Sequence, residues 1–151
     1  MIEVIPFRAE HALDIEIRDI SQEVGRYVRS EPHLKAMEQN GFGRTAVEEG
    51  KILGSLVFAP MPWPGVVEAG LILSPDIERR KLWLHRIFKQ SIDSFQRIHK
   101  WHRIQCIANA ASDRNNAWLG ALGFQPESVL EALGPKMEDY IMWVRIRKND
   151  L

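Results

Sequence analysis

The sequence predicts an α/β (α+β) fold: a mixed central sheet of about seven strands flanked by about four helices, in the order βααβββαβαββ. Three observations carry that prediction. "VVEAGLIL" (Val66–Leu73) is a nearly all-apolar run, the pattern of a strand buried on both faces. Leu84, Ile87, Phe88, Ile92, Phe95 and Ile98 follow at three- and four-residue spacings, the stripe of a long amphipathic helix. "HRIQCIANA" (His102–Ala110) reads as the next strand, so 66–108 is a strand–helix–strand unit whose crossover should be parallel and right-handed.

The other elements follow in order. "EVIPF" (Glu3–Phe7) reads as a short strand. Two helices are expected from about Glu10 to Asn40, broken near "SEPH" (Ser30–His33), because Pro32 disfavours helix at the residue before it. "GFGRTAVEEGKILGSLVFA" (Gly41–Ala59) alternates apolar and polar residues around Glu49-Gly50, a hairpin signal. "PMPWPG" (Pro60–Gly65) is a proline-stiffened loop leading into Val66–Leu73. Ser74 and Pro75 supply an N-cap and a first position for the long helix. "SDRNNAWLGALGF" (Ser112–Phe124) is a short helix opened by Ser112 or Asp113 and stopped at Gly123, and two strands, roughly Gln125–Glu131 and Glu138–Arg147, follow it.

A length of 151 residues suits one domain, 1–151, and 45% hydrophobic with 26% charged residues is ordinary for a globular protein. The single cysteine, Cys106, excludes an intramolecular disulfide and reads as a small core residue. No Cys/His cluster has metal-ligand spacing, and His99 with His102 lacks an evident third ligand, so no metal is expected. The start "MIEVIPFRAEH" carries acids where a signal peptide carries lysines, and no apolar run approaches the roughly 18 residues of a membrane span. A cytoplasmic location, or a particle assembled there, and no membrane partner are expected.

Formal net charge is zero, yet the charge is unevenly spread. From Asp76 to Arg103, eight Lys/Arg stand against three acids, a local charge of +5, whereas residues 1–75 hold seven bases and eleven acids. The basic stretch suits a solvated helix face, an anionic cofactor, an acidic partner or nucleic acid. For nucleic acid, 76–103 has the charge but few interleaved aromatics, and Trp83, Phe88 and Trp101 read more simply as core.

The element order, with "VVEAGLILSP" before the long helix, "LGALGF" closing the short one and "KMEDYIMWVRI" as the last strand, resembles the GNAT N-acyltransferase superfamily over nearly the whole chain. The strongest part is Leu-Gly-Phe at 122–124, followed some fifteen residues later by "EDYIMW". The resemblance implies a sheet split between its fourth and fifth strands, here 66–73 and 102–108. It also implies acyl-CoA in that gap, its pantetheine bonded to backbone around Leu71, Ile72 and Leu73. The pyrophosphate would sit on backbone N–H groups of a loop with the pattern Arg/Gln-x-x-Gly-x-Gly/Ala.

Counted on from Pro75, that loop falls on Glu78, Arg79, Arg80, Lys81, Leu82 and Trp83, with no glycine. Lys81 and Trp83 stand where small residues let the backbone approach phosphates. Asp76 and Glu78 put carboxylates in the first helical turn, where they would take the N–H groups that a phosphate needs. The physical reading is an anion seat already filled, which puts acetyl-CoA in doubt. The alternative is a pyrophosphate held by the side chains of Arg79, Arg80 and Lys81.

The resemblance also implies a base on the fourth strand, here Glu68, and an acid, often a tyrosine, in the short helix. A carboxylate in an apolar strand is where burial can raise a pKa toward that of a base, although Glu68 reads equally as a solvent-facing strand end. The tyrosine position, four before Gly123, is Leu119. The family asparagine, eleven before that glycine, falls on Ser112, with Asn109, Asn115 and Asn116 close by and Asn116 the cofactor-binding candidate. Tyr140, on the last strand, reads as a packing residue.

Within the superfamily the chain is similar to the small GNAT-like proteins of tailed phages, including internal virion proteins of T7-type podophages. These pair a glycine-less, Lys/Arg-rich long helix with a short helix of the form aromatic-Leu-x-x-Leu/Ile-Gly, here Trp118 to Gly123. That resemblance implies a catalytically degenerate acetyltransferase fold used as a virion structural or assembly component. The alternative is an active acyl-CoA-dependent N-acetyltransferase acting on a primary amine, with Glu68 accepting the amine proton. In the first reading, Met61 and Trp63 of "APMPWPG" are contact residues for other protein subunits, although they serve equally well as a lid on the protein's own core.

Overall fold

The computed structural model describes residues 1–13, 15–16 and 30–148. The strands are β1 (Ile2–Pro6), β2 (Arg44–Glu48), β3 (Lys51–Pro60), β4 (Val66–Leu73), β5 (Arg103–Asn109), β6 (Gln125–Leu130) and β7 (Tyr140–Ile146). The described helices are α1 (Glu10–Leu13), α2 (Glu31–Gln39), α3 (Lys81–Ile98) and α4 (Asp113–Ala121), and a 3-10 turn spans Pro75–Arg79. The strands form a seven-stranded mixed sheet in the order β1-β2-β3-β4-β5-β7-β6. Beyond the single turn α1, the first of the two helices expected over Glu10–Asn40 lies outside the described residues. The chain divides into two compact units, Met1–Ala59 with Ala69–Arg86, and Pro60–Glu68 with Ile87–Leu151.

In the first unit β1 runs antiparallel to β2, from Ile2 opposite Glu48 to Pro6 opposite Arg44. Glu49 and Gly50 turn β2 into β3 with φ of 50° and 79°, the left-handed pair of a type I′ hairpin whose twist matches its strands. A Cβ on Gly54 would lie 3.0 Å from Leu73 Cδ2 and 3.3 Å from the Ile72 carbonyl oxygen, so β3 packs on β4 at backbone distance. Phe7, Ala9, Ala12, Leu34, Met37, Val57 and Ile72 form the core of this unit.

A polar chain is threaded beside that core. The Arg8 N–H donates to His11 Nδ1 (3.0 Å), which also lies 2.8 Å from Thr45 Oγ1. Thr45 Oγ1 is in turn 2.8 Å from Ser55 Oγ, and all three side chains are buried. Since Nδ1 accepts the Arg8 bond, it carries no proton. Thr45 therefore donates to the imidazole and Ser55 donates to Thr45.

In the second unit, Val66–Glu68 of β4 pair in parallel with Arg103–Gln105 of β5. The β5 strand pairs along its full length with antiparallel β7, from Arg103 opposite Ile146 to Asn109 opposite Tyr140. The outer strand β6 is exposed at five of its six residues, and its register against β7 shifts between Pro126 and Ser128. Phe88 and Ile92 of α3 are buried, and Phe88 stacks on Trp118 of α4 with ring centroids 6.2 Å apart.

Two sequence expectations about the long helix are corrected. It begins at Lys81, because Ser74 caps a 3-10 turn instead, and Arg80 (φ −126°, ψ 15°) interrupts the helical path between the two. Ile98, expected in the apolar stripe, is 63% exposed, and Gln96 is buried, its amide donating to the Arg145 carbonyl (3.2 Å). The cause is the way the helix stops. Lys100 takes φ 55°, with its N–H bonded to the Arg97 carbonyl (3.4 Å) and the Trp101 N–H bonded to the Gln96 carbonyl (3.0 Å). This is a Schellman closure with lysine at the position usually held by glycine.

Burial lowers the His11 pKa from its ordinary 6.5; the Arg8 charge acts in the same direction, while Glu10 and Glu38 oppose it. The unfolded chain therefore binds this proton more readily. The contribution of His11 is complete above about pH 6.5 and is lost as the pH falls through the lower folded value. The urea midpoint is expected to decline with falling pH in this range. A His11→Gln variant, which keeps an acceptor for the Arg8 N–H without titrating, is expected to flatten that decline. An unchanged pH profile in the variant would count against this assignment.

Candidate functional site

The candidate residues divide between the two units. Leu71, Ile72, Leu73, Arg79, Arg80 and Lys81 lie in the first, Glu68 and Asn116 in the second. On β4, Glu68 is half-buried and is the last residue in the parallel register with β5, and the strand runs on through Leu73. Leu71 is half-buried, while Ile72 and Leu73 are buried. Burial first, and then the Glu68 charge, push the Cys106 thiol up to about 12, so this buried sulfur stays protonated and is no nucleophile.

After β4 the chain closes on itself. Ser74 N–H donates to the Leu53 carbonyl (3.0 Å), and Ser74 Oγ accepts from Asp76 N–H (3.2 Å). Ile77 N–H donates to the Ser74 carbonyl (3.2 Å), and Arg80 N–H to the Ile77 carbonyl (2.8 Å). Three amides of the turn are thus taken within it. The carboxylates of Asp76 and Glu78, expected in this role, do not fill it; the occupants are the Ser74 hydroxyl and two backbone carbonyls. The Asp76 carboxylate accepts the Ser74 hydroxyl (3.3 Å) and lies 3.5 Å from Lys51 Nζ, while Glu78 lies 4.0 Å from Lys81 Nζ. No residue from 74 to 98 has a positive φ, so the segment is built without a conformation that needs glycine.

The first i→i−4 bond of α3 runs from Leu84 N–H to the Arg80 carbonyl (2.9 Å). The amides of Lys81, Leu82 and Trp83 precede it and have no intrahelical carbonyl to meet. Lys81 and Leu82 are exposed and Trp83 is half-buried. Of the three basic candidates, Arg80 donates to Glu48 (2.8 Å), and that bond holds the Glu48 carboxyl below its ordinary pKa. Among the described residues Arg79 has no carboxylate within ion-pair distance.

Asn116 sits on α4 with its whole amide engaged. Nδ2 donates to the Asn109 carbonyl (2.9 Å) and the Ser112 carbonyl (2.8 Å), and Oδ1 accepts from Trp143 Nε1 (2.8 Å). It ties α4 to β5 and β7. Glu68 pairs with Gln105, whereas Asn116 is attached at Asn109, four residues further along β5 or roughly 13 Å. Leu119, where the sequence resemblance implies a tyrosine, is buried. Tyr140 is half-buried on β7, and burial followed by the Glu138 charge raises its hydroxyl pKa.

In the loop before β4, Met61 is half-buried and donates its N–H to the Val66 carbonyl (3.0 Å), whereas Trp63 is 59% exposed. Of the two expected contact residues, Trp63 is therefore the one that is mostly exposed. Gly65 has φ 89°, and a Cβ there would lie 2.4 Å from His102 Nδ1. Nothing in the sequence signalled this seat for the His102 ring. Among the described residues no group of three His, Cys, Asp or Glu could hold a metal ion, and no helix is long and apolar enough to cross a membrane.

No family model matches the sequence, nor does any curated protein sequence. Solved structures do match. The ribosomal-protein-S5-alanine acetyltransferase of Vibrio fischeri superposes with a TM-score of 0.71 at 18% identity, covering 99% of this chain and 95% of that one. The ribosomal-protein-S18-alanine N-acetyltransferase of Escherichia coli gives 0.71 at 14% identity, covering 100% and 99%. An N-acetyltransferase of Staphylococcus aureus Mu50 gives 0.71 at 14% identity, covering 97% and 98%. The seven-stranded sheet and its helices are those of the GNAT fold.

Proposed function

We propose that this chain is a GNAT-fold protein that no longer transfers acyl groups and works as a structural or assembly component, the role that the phage-type resemblance implies for a virion protein. The observation that carries this reading is the turn after β4, where the amides of Asp76, Ile77 and Arg80 already have partners. Of the loop 78–83 that the resemblance assigns to the pyrophosphate, the Arg80 amide is already bonded to the Ile77 carbonyl, and the two amides before the loop are bonded as well, which supports this reading. Asn116, its amide engaged on both sides, and the buried Leu119 support the same reading. The exposed Trp63 supplies an anchor of the kind that protein interfaces use.

A second reading, an acyl-CoA-dependent N-acyltransferase acting on a primary amine, is favoured by two specific features. Glu68 is a half-buried carboxylate at the end of the β4–β5 register, suited to accepting a proton from the amine. The amides of Lys81 to Trp83, with Arg79 beside them, offer anion donors outside the closed turn.

Calorimetric titration with acetyl-CoA at low salt separates the two. The wild type is expected to give no heat beyond dilution, and a Lys81→Gly/Trp83→Gly variant beside it reports whether those side chains are what keeps the ligand out. Micromolar binding by the wild type would overturn the non-catalytic reading and put the acyltransferase first. Asn116→Ala, which leaves Trp143 Nε1 without its acceptor, is expected to lower stability by about 1–3 kcal/mol in urea unfolding. A variant as stable as the wild type would free Asn116 for a ligand-binding role.

A further inference from the structure

At the start of β4 and β5, the second unit brings together three stretches distant in sequence. Arg103 N–H donates to the Gly65 carbonyl (3.2 Å), and Arg147 N–H donates to the His102 carbonyl (3.0 Å). The His102 ring lies against Gly65, where it fills the space of a Cβ. The loop with Trp63, the turn after α3 and the residues following β7 are therefore held side by side.

Their exposed side chains combine rings with cations. Trp63 is 59% exposed, and the exposed His99 ring stacks on Trp101 at 28° with centroids 5.3 Å apart. Arg97 and Lys100, at the end of α3 and in the turn after it, and Lys148, after β7, are exposed, and none has a carboxylate within ion-pair distance among the described residues. Lys100 also occupies a left-handed position (φ 55°) where glycine would be easier to accommodate.

We propose that this surface binds single-stranded nucleic acid, with bases stacking on Trp63 and His99 and phosphates meeting Arg97, Lys100 and Lys148. The basic 76–103 stretch has few interleaved aromatics of its own, and Trp63 arrives from the loop before β4, joined to it through Gly65 and Arg103. An acidic protein would answer the cations but not the rings. Ile98 and Ile146, 63% and 49% exposed, make an anionic membrane the competing partner. The surface stands whether or not acyl-CoA binds.

The test is fluorescence anisotropy of labelled oligothymidylate against the full chain, with vesicles of phosphatidylcholine and phosphatidylserine in a parallel sedimentation assay. The wild type is expected to bind the oligonucleotide at low salt and to weaken steadily as salt rises. Trp63→Ala is expected to weaken binding by about tenfold. Lys100→Gly is expected to make the salt slope shallower by about 0.7, one phosphate contact. Its unfolding midpoint is expected to equal or exceed that of the wild type, so its loss of affinity could not come from misfolding. Absence of oligonucleotide binding, equal binding by both variants, or binding to vesicles alone would overturn the proposal.

Discussion

The apolar side chains of β4 are largely withdrawn from water, and a strand buried in this way must hand its backbone groups to neighbours. Val66 to Glu68 do so with β5. At the far end the obligation passes to Ser74, itself buried, whose N–H reaches back to Leu53. With its backbone held there, the Ser74 hydroxyl is positioned over the next turn and draws Asp76 into a 3-10 path. The late start of α3 and the closure of the turn after β4 both follow from how this strand ends. The closed turn is thus tied to the packing of the core.

Much of the fold was legible because burial leaves a periodic trace. The span of β4 matches its apolar run, and β5, β6 and β7 fall within a residue or two of their alternating segments. The 3-10 turn was not legible, since a Ser-Pro pair opens an α-helix and a 3-10 helix alike. Ile98 continues the stripe in sequence, and only the reversal at Lys100 takes it out of the core. Asn116 illustrates a different limit. Its partners stand four, seven and twenty-seven residues away, and the last of these contacts, to Trp143, exists only once β7 has paired with β5.

The fold shared with acetyltransferases at 14–18% identity is a statement about layers and strand order. Chemistry in such a scaffold resides in the connections, and here the connections have their own character. The turn after β4 is closed by local hydrogen bonds, the short helix is fastened by an asparagine, and the loop before β4 displays a tryptophan.

The margins of the sheet carry a consequence for assembly. Its outermost strands are β1 and β6, and each contains a proline, Pro6 and Pro126, which has no N–H to offer an incoming strand. In β6 the shift in register beside Pro126 breaks the edge further. Copies of this chain are thereby discouraged from joining sheet to sheet into an open fibre. An incoming strand would meet gaps in the hydrogen-bond ladder at both margins of the sheet.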